Sequence, residues 1–233
     1  MENAKTTLEI YSDYVWPFCW LAEPAITQFA GIAPHIVIRW KAFELRPHPV
    51  PTLDPNGEYL TSAWREHVYP LAEKMGFTMK RPPVQPRTRL AHAAAKWAAD
   101  NGRFEPFNTG IFKAFFQEGL DIGKLETLLK IAEKLGMEPN EFESGPQMDF
   151  YVQKVINDED MAKQADVRAV PAYVLNGKVL AAGVQNLAQL QRMLLLPWCL
   201  SVKSAKYFLD HEIFPAGGPL WKHHLLCLEW LQP

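Results

Sequence analysis

Residues 6–22, TTLEIYSDYVWPFCWLA, pass from the periodicity of a strand to that of a helix. Leu8 and Ile10 share one face of an extended segment, and a polar pair ends the run. Pro17 suits the first turn of a helix, where its missing N–H is not needed for a hydrogen bond. The stretch therefore predicts a strand followed directly by a helix, with the tetrapeptide WPFC at the helix start.

The next strands are predicted from two further segments. HIVIRWKAFEL, residues 35–45, alternates at strand period and completes a β-α-β unit, whose crossover is expected to be right-handed. Near the other end, VPAYVLN and KVLAAG indicate two strands joined by a tight turn at Asn176-Gly177. The segment NLAQLQRMLLL then supplies a last helix.

Between residues 59 and 165 the apolar spacing becomes three and four, which predicts a block of helices. The order β-α-β, helical block, β-β-α predicts an α/β protein with a thioredoxin-like fold and a large helical insertion between its halves. The predicted thioredoxin-like domain comprises residues 1–57 and 166–196. Residues 58–165 form the predicted insertion, and residues 197–233 a C-terminal extension of unassigned role.

Composition narrows the classes of partner and compartment. With 24 basic and 26 acidic residues the net charge is -2, which predicts neither nucleic-acid nor membrane-surface binding. The N-terminal residues lack the pattern of a secretory signal, and three widely spaced cysteines favour reduced thiols, so a cytoplasmic location is expected. The histidines show no metal-ligand spacing, and no metal site is predicted.

Four segments together match one known pattern. They are, in chain order, SDYVWPFCWLA, WKAFELRP, FFQEGLDIGKLETLLKIAEKLGM and ADVRAVPAYVLNGKVLAAGVQ. From about residue 6 to residue 196 the chain resembles the DsbA-like superfamily, specifically its FrnE-like branch. The kappa-class glutathione transferases and 2-hydroxychromene-2-carboxylate isomerases are related to that branch. The resemblance implies the same fold as the element order does.

The resemblance also places the reactive motif. FrnE-like proteins open this helix with Cys-Pro-x-Cys, and the related transferases and isomerases have a serine at the first position. Here that position is Trp16, and Cys19 matches the second, resolving cysteine. A sulfur at the positive end of a helix is favoured as a thiolate, whereas burial raises a thiol pKa. Cys19 is thus either a functional thiol or a small buried apolar residue, and Trp16 is either a stacking platform or a plug.

Other candidate residues come from the same resemblance. Trp16 and Pro17 are expected at the ligand site, facing Val170 and Pro171, whose peptide bond is cis in this superfamily and presents the Val170 backbone to an extended thiol peptide. Gln185 falls where kappa-class relatives bind the γ-glutamyl end of glutathione, and it is expected to begin a helix whose N-terminus could receive a carboxylate. The competing reading is helix capping.

Ser12 and Asp13 lie beside the motif in the sequence. Asp13 could modulate a thiol by its charge, and a turn or cap role is the competing reading for both residues.

Three functions remain open from the sequence. The leading one is a DsbA-family oxidoreductase that acts by a monothiol mechanism through Cys19 on a glutathione or protein disulfide. The alternatives are a glutathione-dependent transferase or isomerase, and a non-catalytic module that binds a thiol or peptide. No covalently bound cofactor is expected, glutathione is the expected co-substrate, and family members are often dimers, so a homodimer is an expectation.

Overall fold

The computed structural model describes residues 6–138, 142 and 145–201 of the chain. Its strands are β1 (Thr6–Ser12), β2 (Ile36–Ala42), β3 (Ala172–Leu175) and β4 (Lys178–Ala182). Its longer helices are α1 (Pro17–Ile32), α4 (Arg89–Asp100), α5 (Phe104–Phe116), α6 (Leu125–Lys134), α7 (Gly145–Gln164) and α8 (Leu187–Ser201). Two short helices, α2 (Glu58–Ala63) and α3 (Tyr69–Lys74), follow β2.

The four strands form one mixed sheet in the order β2-β1-β3-β4. β1 pairs parallel with β2 and antiparallel with β3, so the two halves of the chain meet at β1. Leu8 and Ile10 of β1 are fully buried, as their shared face predicts. The predicted fold class, an α/β thioredoxin-like fold with helices between its halves, is confirmed.

The β3–β4 hairpin turns at Asn176-Gly177, as predicted. Both residues have positive φ angles, 51° and 72°, which the tight turn requires and which asparagine and glycine tolerate. The last helix, α8, continues to Ser201 and so extends past the predicted end at residue 196. Of the predicted extension, residues 202–233 lie outside the described residues.

The first helical segment of the insertion, which follows β2, is divided into two short helices. α2 and α3 are joined by a π-helical turn over Trp64–Val68, in which the N–H of Tyr69 donates to the carbonyl of Trp64. Pro70 explains the widening, because proline has no N–H for the Glu66 carbonyl and its ring clashes with that carbonyl in a regular helix. Throughout the described part of the chain, no helix has the length and apolar character needed to cross a membrane.

A buried carboxylate joins the insertion to the sheet. Asp158 of α7 accepts hydrogen bonds from the N–H of Ala42 and the Nζ of Lys41, both at 3.0 Å. Lys96 of α4 also donates to this carboxylate. Since Asp158 is only 5% exposed, its charge depends on these three donors for stabilisation.

Replacing Asp158 by alanine is therefore expected to destabilise the fold by about 3 kcal/mol, since Lys96 loses its carboxylate partner and, among the described carboxylates, Lys41 keeps only Glu9. Denaturant unfolding of the variant measures this cost. The matched control is Asp160→Ala, because Asp160 pairs with Lys163 on the exposed face of the same helix. That change is expected to cost less than about 1 kcal/mol. Equal costs for the two variants would contradict this role for Asp158.

Candidate functional site

The WPFC segment lies at the start of α1, as predicted. Trp16 is the residue before the first helical turn, and Pro17 is the first residue of the helix. The turn that leads into the helix is closed by a hydrogen bond from the Trp16 N–H to the Asp13 carbonyl, at 3.2 Å. Cys19 therefore lies in the first turn of α1, where unpaired N–H groups and the helix dipole favour negative charge.

The Cys19 sulfur is fully buried. Its Sγ accepts a hydrogen bond from the backbone N–H of Asp13 at 3.4 Å. This donor stabilises a thiolate, while the surrounding apolar residues disfavour one. The structure thus gives the sulfur a backbone hydrogen-bond donor and no exposure to solvent.

Trp16 is buried with the sulfur. Its side chain is 2% exposed, it contacts the Phe18 ring at a centroid distance of 5.2 Å, and it belongs to the same buried cluster as Cys19. An indole in this position fills the space beside the helix start instead of presenting a face to solvent. The arrangement favours the plug interpretation of Trp16 over the stacking platform.

The Val170–Pro171 peptide bond is cis. Val170 is 2% exposed and lies in the buried cluster that contains Trp16 and Cys19. The Pro171 carbonyl accepts a hydrogen bond from the N–H of Gly183 at 2.8 Å, which ties it to the turn after β4. The structure therefore brings Trp16, Cys19 and Val170 together, but in a closed arrangement.

Gln185 does not begin a helix. Its Nε2 donates to the carbonyls of Ala182 and Gly183, at 3.2 and 3.4 Å, and so closes the turn in which it lies. α8 begins two residues later and is capped reciprocally, since the backbone N–H groups of Asn186 and Gln189 each donate to the other's side chain. The expectation that Gln185 opens the helix is therefore corrected: the capping asparagine follows it.

Asp13 and Ser12 have structural partners. The Asp13 carboxylate is fully buried, and its Oδ2 accepts the N–H of Leu45 at 2.8 Å while its Oδ1 lies 3.4 Å from Nε2 of His92. Asp13 reaches Cys19 through its backbone N–H. Ser12 is nearly buried, and its carbonyl accepts the N–H of Phe43 at 3.0 Å, which prolongs the β1–β2 pairing.

Two buried residues near this site carried no site prediction. His92 of α4 is 6% exposed and packs against the Tyr14 ring at a centroid distance of 4.7 Å. The sequence signal that could have pointed to His92 is a single histidine among the alanines of residues 91–95. Tyr173 of β3 is buried, and burial raises the pKa of its hydroxyl. The Gln185 backbone lowers that pKa, and charge on Cys19 raises it further.

A polar chain continues from Tyr14 into the insertion. The Tyr14 hydroxyl donates to Oδ1 of Asn108 at 2.9 Å, and Nδ2 of Asn108 donates to Oε1 of Glu23 at 2.7 Å. Thr109 donates to the same Glu23 oxygen at 3.0 Å. Burial raises the pKa of the Glu23 carboxyl, and the hydrogen bonds from Thr109 and Asn108 oppose that rise. These hydrogen bonds hold α1 against α5.

A search of the described residues for three or more His, Cys, Asp or Glu side chains placed to hold a metal ion finds none.

A sheet of this topology, with a helix starting at WPFC and a cis-proline before β3, defines a thioredoxin-like protein with an inserted helical block. A sequence profile of the DSBA-like thioredoxin domain matches residues 7–195. The chain belongs to this DsbA-like family.

The chain is similar in sequence to a bacterial protein and in fold to a solved bacterial structure. The Bacillus subtilis protein YwbO is 35% identical over 183 residues, which are 76% of this chain and 90% of that protein. A probable DsbA oxidoreductase from Streptomyces coelicolor superposes with a TM-score of 0.69 at 19% identity, covering 92% of this chain and 94% of its own.

Two further solved structures share the fold. A 2-hydroxychromene-2-carboxylate isomerase gives a TM-score of 0.65 at 16% identity, over 86% of this chain and 97% of its own. The cytosolic disulfide reductase DsbM from Pseudomonas aeruginosa, solved with GSH, gives a TM-score of 0.57 at 16% identity. The superposition covers 86% of this chain and 98% of DsbM.

The raised pKa of Glu23 predicts a pH dependence of stability. The folded chain holds the Glu23 proton more firmly than the unfolded chain, so this carboxyl favours folding at low pH. That contribution is lost as the pH rises above the ordinary value of 4.5 and through the folded pKa. Glu23→Gln keeps an acceptor for Asn108 and Thr109 and stays neutral. Its stability relative to the parent is therefore expected to increase with pH.

Urea unfolding from about pH 4 to about pH 8 measures this difference. Glu133→Gln, at an exposed position of α6, is the matched control and is expected to show no such trend. A Glu23→Gln difference that stays constant over the whole range would contradict the assignment.

Proposed function

We propose that this protein is a DsbA-family thiol oxidoreductase that acts with a single sulfur, that of Cys19, on glutathione or protein disulfides. The observation that carries the proposal is the hydrogen bond from the Asp13 N–H to Cys19 Sγ in the first turn of a 16-residue helix. A backbone donor and a helix N-terminus both stabilise the thiolate over the thiol. A sulfur placed for structure alone needs neither.

The proposed chemistry is two thiol–disulfide exchanges. The Cys19 thiolate attacks one sulfur of glutathione disulfide, which forms a Cys19–glutathione disulfide and releases glutathione thiolate. A second thiolate then attacks the glutathione sulfur of that mixed disulfide, which forms the new disulfide and restores the Cys19 thiolate. The incoming thiol is oxidised and glutathione disulfide is reduced, so no second cysteine in the chain is required.

Trp16 sets a condition on this chemistry. Because Cys19 is fully buried and Trp16 is 2% exposed, a disulfide cannot reach Sγ while the indole holds this position. Turnover therefore requires the Trp16 side chain to leave the cluster, and the population of that open state limits the rate. Val170 is covered in the same cluster, so an extended ligand that pairs with its backbone needs the same opening.

The closed cluster also favours a second candidate, a family member that has lost turnover. In that reading Trp16 permanently replaces the missing nucleophile and Cys19 is a small buried packing residue. A glutathione-dependent isomerase is the third candidate, and the isomerase among the structural neighbours supports it through the fold. The three differ in whether uncovering Cys19 produces exchange activity.

Trp16→Ala is the variant that separates these candidates. If Cys19 is the working sulfur, exchange between glutathione disulfide and a cysteine-containing peptide is expected to be about tenfold faster in Trp16→Ala than in the parent. The reason is that a larger fraction of the molecules has an accessible sulfur. Loss of free peptide thiol measures the rate. All proteins carry serine at Cys199 and Cys227, so that Cys19 is the remaining cysteine.

Two controls accompany this experiment. Cys19→Ser in the Trp16→Ala background is expected to return the rate to that without protein. Trp40→Ala, which removes a half-buried indole from β2, tests whether any loss of tryptophan packing has the same effect. Thermal melting checks that each variant is folded. A folded Trp16→Ala protein no faster than its Cys19→Ser counterpart would overturn the proposal and leave the inactive family member.

A further inference from the structure

A shallow cavity, partly open to solvent, lies away from the sulfur. It is formed where the Asp13–Val15 turn meets the segment after β2 and the segment that precedes α4. Among its lining residues are Glu44, Arg87 and Thr88. Trp16 and Cys19 do not line it, so a ligand bound there does not require the closed cluster to open.

The Thr88 side chain has an unmet hydrogen-bonding requirement. Thr88 precedes the 12-residue helix α4, and its backbone N–H donates to Oε1 of Glu44 at 3.0 Å. Its side chain is 1% exposed, and its Oγ1 has no hydrogen-bond partner in the described part of the chain. A buried hydroxyl without a hydrogen-bond partner is destabilising, so an acceptor in the cavity is favoured.

Arg87 supplies positive charge without a carboxylate partner. Its guanidinium donates to the carbonyls of Arg46 and Val50, at 2.8 and 3.0 Å, which fix its orientation. Within the described residues, no Asp or Glu oxygen lies within 4.0 Å of it. The guanidinium is therefore held beside the cavity with its charge balanced only by neutral acceptors.

Of the two acidic residues that line the cavity, one is paired with an arginine. Glu44 lies 3.2 Å from a guanidinium nitrogen of Arg89, and burial raises the pKa of its carboxyl. Asp13 accepts the Leu45 N–H with its Oδ2, whereas its Oδ1 has no hydrogen-bond partner in the described residues and lies 3.4 Å from Nε2 of His92. Arg87 is the cation that donates only to neutral acceptors here, and the two carboxylates disfavour a ligand with two negative charges.

We propose that this cavity binds the carboxylate of a small organic acid, with Arg87 and Thr88 as its hydrogen-bond donors. Val15 and Leu53 line the cavity and supply apolar contact for the carbon skeleton next to the carboxylate. This site is independent of Cys19, so it stands whether or not the proposed thiol chemistry occurs.

The test uses the full chain and a matched pair of probes, 3-phenylpropionate and its neutral amide. Isothermal titration calorimetry is expected to show at least about tenfold tighter binding of the acid, because an arginine–carboxylate hydrogen bond replaces a neutral one. Arg87→Gln is expected to remove about tenfold of the acid's affinity. Arg103→Gln, an exposed arginine before α5, is the charge control and is expected to change nothing.

Thr88→Val keeps the test decisive if Arg87→Gln fails to fold. Because the Thr88 hydroxyl has no partner in the described residues, its removal is expected to leave the melting temperature unchanged or higher while it lowers the acid's affinity about fivefold. A merely structural threonine would not separate these two readouts. Equal binding of acid and amide, an unchanged affinity in Thr88→Val, or tighter binding of inorganic phosphate would each overturn the proposal.

Discussion

The buried Asp13 residue holds together the parts of the chain on which the site depends. Its backbone N–H donates to Cys19 Sγ, its Oδ2 accepts the Leu45 N–H, and its Oδ1 faces His92 of the insertion. These three contacts fix the end of β1, the segment after β2 and α4 relative to one another. The position of the sulfur and the shape of the neighbouring cavity both follow from this constraint, because Asp13 borders each.

The same constraint separates two regions with different chemistry. On one side, Cys19, Trp16 and Val170 lie in one buried apolar cluster, and the Asp13 N–H donates to the sulfur. On the other, Arg87 and Thr88 border an open cavity with an unbalanced charge and an unpaired hydroxyl in the described chain. In the proposed account, thiol chemistry requires a motion of Trp16, whereas the binding of an organic acid does not.

Periodic features of the sequence were sufficient to predict the elements that carry the fold. Leu8 and Ile10 indicated β1, and Asn176-Gly177 indicated the hairpin, because strand periodicity and turn chemistry are local properties. The π-helical turn before Tyr69 was missed. A proline at position 70 interrupts helical hydrogen bonding, but apolar spacing alone does not show how the helix adapts.

The candidate site was predictable only in part, because side-chain direction depends on distant segments. The sequence placed Asp13 beside the motif, but its carboxylate partners Leu45 and His92 are 32 and 79 positions away. Likewise, Trp16 lies in a buried cluster most of whose members belong to the insertion. The last helix begins two residues after Gln185, because the Asn186–Gln189 pair caps it.

The central claim is that Trp16 controls access to the Cys19 sulfur. Alkylation of Cys19 by iodoacetamide, followed by mass spectrometry in native buffer and in denaturant, measures that access directly. The account predicts that Cys19 in the native chain reacts at least about a hundredfold more slowly than in the unfolded chain, and that Trp16→Ala removes most of this protection. Rapid alkylation of the native parent, or equal protection in folded Trp16→Ala, would contradict it.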